Sequence, residues 1–408
     1  MRIEKAEIVV TGAGPSGSVV AGLLRKQGHQ VLVLEKETFP RFSIGESLLP
    51  QVMEYIEEAG MLRDVVEAGF QYKNGASFSR GDKYTEFDFR DKFTQNWGTT
   101  YQVERGKFDK VLADAAARMG ADIRYRHEVL SIEVGASPSL VVKNNDSGEQ
   151  FKVETKIILD ASGFARLLPR LLELERPSKF PVRWAHFTHL EDRIPHDVGF
   201  DRNKIRVAVH PDFQDVWYWL IPFSNGRCSI GVVAEPAFLE KYQGDEMTKL
   251  RTLVGEDPNL RKLLKNAVWD TPARTIKGYS ADVKSLAGEG FALLGNAGEF
   301  LDPVFSSGVT IALTSASLAA KCVHAQLTGK PVDWENQYSV PLKRGVDAFR
   351  AFVTAWYAGG FQKIIFHPSP TPEIRRMICS ILAGYAWDLN NPYVAEPRRL
   401  GVLEQVCA

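Results

Sequence analysis

Three glycines near the N-terminus have the spacing of a phosphate-binding turn. Gly12, Gly14 and Gly17 form a Gly-x-Gly-x-x-Gly pattern within AEIVVTGAGPSGSVVAGLLRK. In such a turn the first glycine permits the tight bend, the second lets the backbone approach a pyrophosphate, and the third allows close helix packing. Glu35 follows about 20 residues later, where an acidic side chain can bind a ribose hydroxyl. The pattern therefore predicts a dinucleotide site.

The hydrophobic pattern predicts the elements that position this turn. Residues 8–10 and 31–34 are short apolar runs, as expected for parallel strands buried on both faces. The segment between them predicts a helix whose N-terminal amides would face the pyrophosphate. Pro15, Ser16 and Lys36 belong to the same unit, so we assign them to the cofactor site as well.

The composition argues against several classes of partner. The 408 residues include 50 Lys plus Arg and 50 Asp plus Glu, so the net charge is zero, which favours neither nucleic acid nor an anionic membrane. The four cysteines form no CxxC pair, and His186 and His189 would face opposite sides of a strand, so we predict no metal site. We see no signal peptide and no bilayer-spanning apolar run, and we expect a cytoplasmic protein without stable membrane insertion.

Two tryptophans two residues apart are a second candidate for chemistry. Trp217 and Trp219 lie in the stretch DVWYWLIPF, and alternate side chains of a strand share a face. We therefore expect a flat wall of two indoles. Core strands can carry the same aromatic ladder, so the function of the wall depends on the rest of the chain.

Three later segments carry a resemblance to a known family. IILDASGFARLLPR and FALLGNAGEFLDP each place small and polar residues after a buried strand, and QVERGKFD places a basic residue before a helix. With the glycine turn, they resemble the FAD-binding family built on the hydroxybenzoate-hydroxylase plan. The resemblance implies an extended FAD whose ring reaches the sheet of a second domain. The further cofactor residues that we assign on this basis are Arg41, Ser47, Arg105, Asp160, Gly163, Gly295, Asn296, Asp302 and Pro303.

The length suggests more than one domain. From about residue 181 to 274 the pattern changes to strands joined by loops. We predict an α/β fold in which a Rossmann-like FAD-binding domain carries an inserted antiparallel-sheet substrate domain and a helical C-terminal segment. The expected boundaries are 1–70, 101–180 and 275–330 for the FAD-binding domain, 71–100 and 181–274 for the substrate domain, and 331–408 for the helical region.

Four further motifs narrow the resemblance. They are FPRFSIGESLLP at 39–50, FQYKNGASF at 70–78, Trp217-x-Trp219-x-Ile221-Pro222, and Phe300-x-x-Pro303-x-x-Ser306-x-Gly308. Together they resemble the flavin-dependent halogenases, most closely the branch that acts on phenols and pyrroles, and also the halogenase-like flavoproteins of aryl-polyene pigment synthesis. The resemblance implies reduced flavin from a separate reductase, dioxygen, a chloride or bromide ion, and an electron-rich aromatic substrate, either free or tethered to a carrier protein.

In that family the tryptophan pair separates the flavin from the substrate pocket. Such a wall would keep the substrate away from a flavin hydroperoxide, so that halide reacts first and gives hypohalous acid. Trp217 and Trp219 are therefore assigned catalytic roles. The resemblance places Lys73 in the tunnel that hypohalous acid crosses, where an amine can hydrogen-bond the acid or form a haloamine, and burial would lower the pKa of that amine.

The start of a helix near residue 308 is a candidate for binding halide and flavin. VFSSGVTIALTSASLAA begins with small residues, and first-turn amides of a helix lack intrahelical partners and carry positive dipole charge. On the strength of the halogenase-like motif, we assign a catalytic role to Ser306. The residues that we assign to flavin and halide binding are Ser307, Gly308 and Val309.

Two other functions remain open at this point. An FAD-dependent oxidoreductase of the same fold (a monooxygenase, dehydrogenase or reductase) in pigment or polyketide biosynthesis would use the pocket without halide. It would give a hydroxylated, reduced or oxidised product. A non-enzymatic flavin-binding scaffold is the other alternative, and the presence of Lys73, the tryptophan pair and the Ser306-x-Gly308 motif argues against it.

Overall fold

A parallel sheet carries the glycine turn. In a computed structural model, which describes residues 1–407, the two apolar runs form neighbouring parallel strands that are fully buried. They belong to a six-stranded sheet whose pairs are parallel except for one edge hairpin. This sheet confirms the predicted Rossmann-like unit. Its strands, in spatial order, are Ala287–Gly288, Phe291–Leu293, Ile157–Asp160, Ile8–Thr11, Val31–Glu35 and Asp122–Tyr125.

Three helices enclose the core beside this sheet. Pro15–Lys26 begins directly after Gly14 and packs against both Arg105–Arg118 and Gly308–Leu327. Most residues of Gly308–Leu327 are buried, because a helix that is apolar on nearly all sides needs neighbours on all sides. The sequence predicts a helix at each of these places, but it puts Arg105 before its helix, whereas Arg105 is the first residue of that helix in the structure.

A seven-stranded sheet carries the tryptophan pair. The sequence predicts an antiparallel sheet, but Lys204–Val209 and Gly75–Arg80 pair in parallel. These two strands are far apart in sequence, so no hairpin fixes their relative direction. The strands, in spatial order, are Arg274–Lys277, Trp184–Glu191, Arg227–Ala234, Trp217–Pro222, Lys204–Val209, Gly75–Arg80 and Lys83–Asp88.

Smaller sheets complete the β-structure. One has four strands, Arg2–Lys5, Gln150–Glu154, Ser139–Asn144 and His127–Glu133. Two others have two strands each, Gln71–Lys73 with Thr100–Gln102 and Glu175–Arg176 with Asp282–Val283. The remaining helices before the C-terminal region are Val52–Glu58, Leu62–Glu67, Leu167–Leu171, Pro236–Leu239, Glu246–Glu256 and Pro258–Leu263.

The chain from residue 331 is helical, as predicted. Its aromatic segment belongs to the core, since Phe352, Trp356 and Phe361 are fully buried around Phe305. Within residues 1–407 no helix has the length and apolarity to cross a membrane. The division into an FAD-binding and a substrate domain stays a prediction. The C-terminal helices are Val340–Tyr357, Gly360–Ile365, Pro372–Leu382, Pro392–Ala395 and Arg399–Val406, with a π-helical turn at Glu335–Ser339.

Candidate active site

A cavity of about 590 Å³ is lined by residues of both large sheets. One part of its wall is the glycine turn, and another is the tryptophan pair of the strand Trp217–Pro222. The structure brings most of the predicted site residues to this wall. They are Gly12, Gly14, Pro15, Ser16, Glu35, Lys36, Arg41, Ser47, Arg105, Gly163, Trp217, Trp219, Asn296, Pro303, Ser306, Gly308 and Val309.

The glycine turn has the close backbone packing that its spacing predicts. Gly12 has a φ of +96°, and a Cβ there would lie 2.6 Å from the carbonyl oxygen of Ala161. A Cβ at Gly17 would lie 1.9 Å from the carbonyl oxygen of Gly12, so Gly17 packs the helix on the turn and does not line the cavity. Gly14 precedes the helix, lines the cavity and has open space around it. The turn therefore leaves room for a phosphate group at the helix N-terminus.

Charged side chains at this end of the cavity fit an anionic dinucleotide. The buried Glu35 carboxylate accepts hydrogen bonds from the amides of Ala13 (2.9 Å) and Glu37 (3.0 Å), so it is fixed where it faces the cavity. Arg41 and Arg105 share a single carboxylate, that of Asp109.

The two arginines place guanidinium groups at the cavity wall. Arg105 bonds Asp109 through two nitrogens, at 2.7 and 3.0 Å, and Arg41 reaches the same carboxylate at 3.4 Å. Arg41 Nη2 also lies 3.8 Å from Glu35 Oε2, so the two guanidinium groups face two carboxylates, and their N–H groups are donors of the kind that bind a pyrophosphate. Asp109 lies within a regular helix, and its role was not evident from the sequence.

Five predicted cofactor residues do not line the cavity: Gly17, Asp160, Gly295, Asp302 and Ser307. Asp160 is fully buried, and its carboxylate accepts hydrogen bonds from the Thr11 hydroxyl and from the amides of Ser162 and Leu168. The carboxylate thus fixes the loop after its strand. Gly295 has a φ of +52°, and a Cβ there would lie 2.8 Å from the Ala312 side chain, so this glycine permits close packing of the long helix.

Asp302 does not line the cavity, but it hydrogen-bonds two tyrosines, of which Tyr279 does line it. Its Oδ2 accepts hydrogen bonds from the hydroxyls of Tyr357 (2.8 Å) and Tyr279 (3.0 Å), and its Oδ1 accepts from the Val304 amide. Burial raises the pKa of Asp302, although these hydrogen bonds oppose the shift. Tyr357 in turn accepts a hydrogen bond from Trp217 Nε1 at 2.9 Å. Asp302 therefore links the turn at Pro303–Phe305 to the tryptophan wall.

The tryptophan pair lines the cavity, but it is not flat. The ring centres of Trp217 and Trp219 are 5.9 Å apart, and their planes are inclined by 48°. Each indole has a separate anchor, because Trp217 donates to Tyr357 and Trp219 Nε1 donates to Ser229 Oγ at 2.9 Å. These different anchors account for the inclination. Sequence reasoning did not identify the anchors, since they lie on other elements.

The loop before the long helix brings a strained residue to the same cavity. Ser306 has a φ of +57°, a left-handed conformation that is uncommon outside glycine. It lines the cavity together with Gly308 and Val309 of the helix Gly308–Leu327. Ser307 is buried, and its carbonyl oxygen accepts from the Ile311 amide, so its role is to begin the helix.

Lys73 is fully buried on the short strand Gln71–Lys73. Its Nζ donates to Ser47 Oγ and to the Leu48 carbonyl, both at 2.7 Å, and lies 5.3 Å from the Phe89 ring centre. Neither acceptor is a carboxylate, and burial lowers the pKa of Lys73 to about 7. Ser47 lines the cavity and Lys73 does not. The amine therefore lies one hydrogen bond behind the wall, and not in an open tunnel as the resemblance implies.

Comparison with known proteins defines the class. The FAD binding domain family matches residues 5–290. A 1H-pyrrole-2-carbonyl-(peptidyl-carrier protein) chlorinase of Pseudomonas fluorescens is 28% identical, over 86% of this chain and 83% of its own. The flavin-dependent halogenase gsfI of Penicillium aethiopicum is 30% identical, over 86% and 71%. The crystal structure of a flavoprotein/dehydrogenase from Cytophaga hutchinsonii has a TM-score of 0.95 at 42% identity, over 99% of both chains.

The fold and the cavity thus define an FAD-binding flavoprotein. Within this class, the chain belongs to the flavin-dependent halogenase family. FAD is its cofactor, and the protein is an FAD-dependent enzyme. The glycine turn, the fixed Glu35 carboxylate and the Arg41–Arg105 pair are the residues that fit the cofactor. These findings confirm the family resemblance that the sequence motifs carry.

Two alanine substitutions in the glycine turn are expected to separate cofactor binding from folding. Gly14→Ala adds a methyl group. Apart from its chain neighbours, the atom nearest to this methyl is Arg41 Nη2, at 3.5 Å. The stability of the FAD-free protein should therefore not change, while FAD affinity falls about tenfold or more because the backbone can no longer approach the pyrophosphate. In Gly17→Ala the methyl meets the Gly12 carbonyl at 1.9 Å, so the FAD-free protein should melt at a lower temperature. Calorimetry with and without FAD measures both effects; an unchanged FAD affinity in Gly14→Ala would contradict this account.

Proposed function

We propose that the protein is an FAD-dependent halogenase that uses reduced flavin, dioxygen and chloride or bromide to halogenate an electron-rich aromatic substrate. When bound, reduced FAD supplies the two-electron activation of dioxygen through which halide becomes hypohalous acid. One observation carries the proposal: a wall of two anchored tryptophans lines the FAD cavity, and a fully buried lysine lies one hydrogen bond behind that cavity.

The tryptophan pair would keep the aromatic substrate away from the flavin. Trp217 and Trp219 are both almost fully buried, at 1% and 4% exposure, and their hydrogen bonds to Tyr357 and Ser229 hold them in place. A substrate held beyond this wall could be reached by hypohalous acid but not by the flavin ring. By keeping the substrate away from the flavin, the two tryptophans would favour halogenation of the substrate over its direct hydroxylation.

Lys73 would act on the hypohalous acid. Near neutral pH a large fraction of this amine is uncharged, because burial lowers its pKa to about 7. An uncharged amine has a lone pair that can accept a hydrogen bond from hypohalous acid or take the halogen as a haloamine. Hypohalous acid would approach the amine from the cavity at Ser47. Ser47 lines the cavity, and its hydroxyl accepts a hydrogen bond from Lys73 Nζ.

We assign halide binding to the loop before the long helix. Ser306, Gly308 and Val309 lie on the cavity wall, and the first amides of Gly308–Leu327 lack intrahelical partners. The positive end of the helix dipole favours an anion there. Ser306, with its left-handed backbone conformation, lies at the cavity wall just before this helix.

The proposed substrate is a phenol or a pyrrole, because such rings activate themselves towards an electrophilic halogen. The Pseudomonas fluorescens relative is named for a pyrrole bound to a peptidyl-carrier protein, so we propose that the aromatic group is presented either free or on a carrier protein. A separate flavin reductase would supply reduced flavin.

A second candidate function is an FAD-dependent oxidoreductase that needs no halide, such as a monooxygenase, dehydrogenase or reductase. The 42% identity to a flavoprotein/dehydrogenase over 99% of both chains supports it. The position of Lys73 behind the cavity wall is compatible with this function too. It would give a hydroxylated, reduced or oxidised product that contains no halogen.

The two functions can be separated by their products. The FAD-loaded protein would be incubated with a flavin reductase, NADH, air, bromide and a panel of phenols and pyrroles, both free and on carrier protein, and analysed by mass spectrometry. The halogenase predicts products with the bromine isotope pair that disappear when bromide is left out. Products that lack bromine and form equally without bromide, or direct reduction of bound FAD by NADH, would favour the oxidoreductase.

A further inference from the structure

A surface recess adjoins the FAD cavity. It has a volume of about 290 Å³ and includes His189 in its wall. Four residues line both the recess and the cavity: Arg41, Ser43, Glu46 and Arg105. Among these four, Glu46 is the only one with a carboxyl group, which can accept a proton and release it again. The Glu46 carboxyl therefore belongs to the residue that joins the two spaces.

Glu46 is tightly paired with the histidine of the recess. Its Oε1 lies 2.5 Å from His189 Nε2, although the two residues are distant in sequence. The Glu46 side chain is 1% exposed and the His189 side chain is 19% exposed. The pair thus extends from a partly solvated imidazole to a carboxylate at the cavity wall. The proposed function does not use this pair.

Neighbouring residues connect the pair to the proposed halogenation site. His189 is opposite Ser229 in the neighbouring strand, and Ser229 anchors the Trp219 indole. Glu46 precedes Ser47, the hydrogen-bond partner of Lys73. The pair is therefore close to both halves of the proposed halogenation site.

The conversion at that site consumes a proton. Dioxygen takes two electrons from the reduced flavin and two from the halide ion, so that FADH₂, O₂, X⁻ and H⁺ give FAD, HOX and H₂O. This proton needs a donor at the cavity wall. Tyr279 also lines the cavity, but burial and the neighbouring Asp302 raise its pKa well above the ordinary value, which makes it a poor donor.

We propose that His189 and Glu46 form a proton relay that carries this proton from the surface recess to the FAD cavity, an inference that rests on the proposed halogenase function. The Nε2–H bond of the imidazolium breaks as an O–H bond forms on Glu46. The carboxylic acid then gives its proton to the oxygen being reduced, and the neutral imidazole takes another proton from water in the recess.

The surroundings of His189 favour the charged form that the relay needs. Burial lowers the pKa of His189, but the hydrogen bond and charge of Glu46, with the charge of Glu104, outweigh burial and raise the pKa above its ordinary value, while Arg227 opposes the shift. The rings of Phe42 and Phe223 pack against the imidazole. The other charged side chains of the recess are those of Arg41, Arg105 and Lys107.

Glu46→Gln tests the relay because it keeps the shape of the side chain and removes its exchangeable acid. The FAD-loaded protein would be photoreduced without oxygen and mixed with air, bromide and a phenol. We expect bromination to be about 10²-fold slower than in the parent, with acetate or formate restoring much of the rate through the recess. The parent rate should also fall as pH rises through the pKa of His189. The matched control is His186→Gln, which changes a histidine on the same strand that bonds Thr275 instead.

A second readout does not depend on turnover. Nuclear magnetic resonance of the oxidised, FAD-saturated protein should show His189 titrating above its ordinary pKa in the parent and lower in Glu46→Gln. If Glu46→Gln does not fold, His189→Gln should slow bromination and remove the fall in rate at high pH.

The outcomes separate the relay from the proposed function. A parent that brominates, with Glu46→Gln or His189→Gln equally fast at every pH, would refute the relay alone. A slow Glu46→Gln that small acids do not rescue, with an unshifted His189 titration, would indicate a structural role and also refute the relay. A parent that forms no brominated product would refute the proposed function, and the relay with it.

Discussion

Replacing Lys73 with methionine is expected to reduce bromination by about 10²- to 10⁴-fold, the range of a positioned proton-transfer or hydrogen-bonding group. The amine is fully buried and bonds Ser47 and Leu48, so the substitution removes the proposed contact with hypohalous acid. Methionine has a similar length and no amine. FAD should still bind, since Lys73 does not line the FAD cavity. Mass spectrometry of the brominated product measures the loss, and FAD absorbance confirms cofactor loading.

The matched control for this prediction is Lys92→Met. Lys92 is also a buried lysine, but its Nζ bonds the Asn96 carbonyl and lies 5.2 Å from the Tyr385 ring centre. We expect the Lys92→Met protein to catalyse bromination at close to the parent rate. Bromination that persists in Lys73→Met would leave the halogenase proposal intact and would show that Lys73 is not a catalytic residue.

Lys73 is also expected to make the stability of the protein depend on pH. Its pKa falls from 10.5 in the unfolded chain to about 7 in the folded protein, so between these values the unfolded state binds the extra proton. The free energy of unfolding should therefore rise with pH above about 7 and level off above the unfolded pKa. At roughly 1.36 kcal/mol per pH unit, the rise from pH 7 to pH 10 has an upper limit of about 4 kcal/mol.

A comparison with Lys73→Met isolates this contribution, because the other titrating groups are shared. Urea unfolding at about pH 6 and about pH 10, at a fixed FAD concentration, gives the two free energies. The variant should be more stable relative to the parent at the lower pH, and this advantage should shrink at the higher pH. A constant difference between the two proteins would show that the folded pKa of Lys73 is not lowered.

The sequence predicts the FAD-binding unit because local patterns determine most of it. Buried apolar runs specify the parallel strands, and the close approach of Gly17 to Gly12 explains why only glycine fits there. Glu35 falls at the end of its strand in both the pattern and the structure. Each of these features depends on residues within about one βαβ unit.

Contacts between distant segments could not be predicted in this way. Trp217 with Tyr357, Arg41 with Asp109 and Glu46 with His189 each join residues on separate elements. No spacing rule relates such residues, because tertiary packing alone brings them together. The parallel strand pair in the seven-stranded sheet also depends on tertiary packing. So does the inclination of the two indoles, because their hydrogen-bond partners lie on separate elements.

The central claim is that halide is oxidised at this FAD site, and a single-turnover experiment tests it most directly. The FAD-loaded protein is photoreduced without oxygen, then mixed with air, bromide and a phenol, and the bromine covalently bound to the phenol is counted against FAD by mass spectrometry. The account predicts close to one bromine for each reduced FAD, and none when bromide is left out. Reoxidised FAD with a hydroxylated, bromine-free product would contradict it.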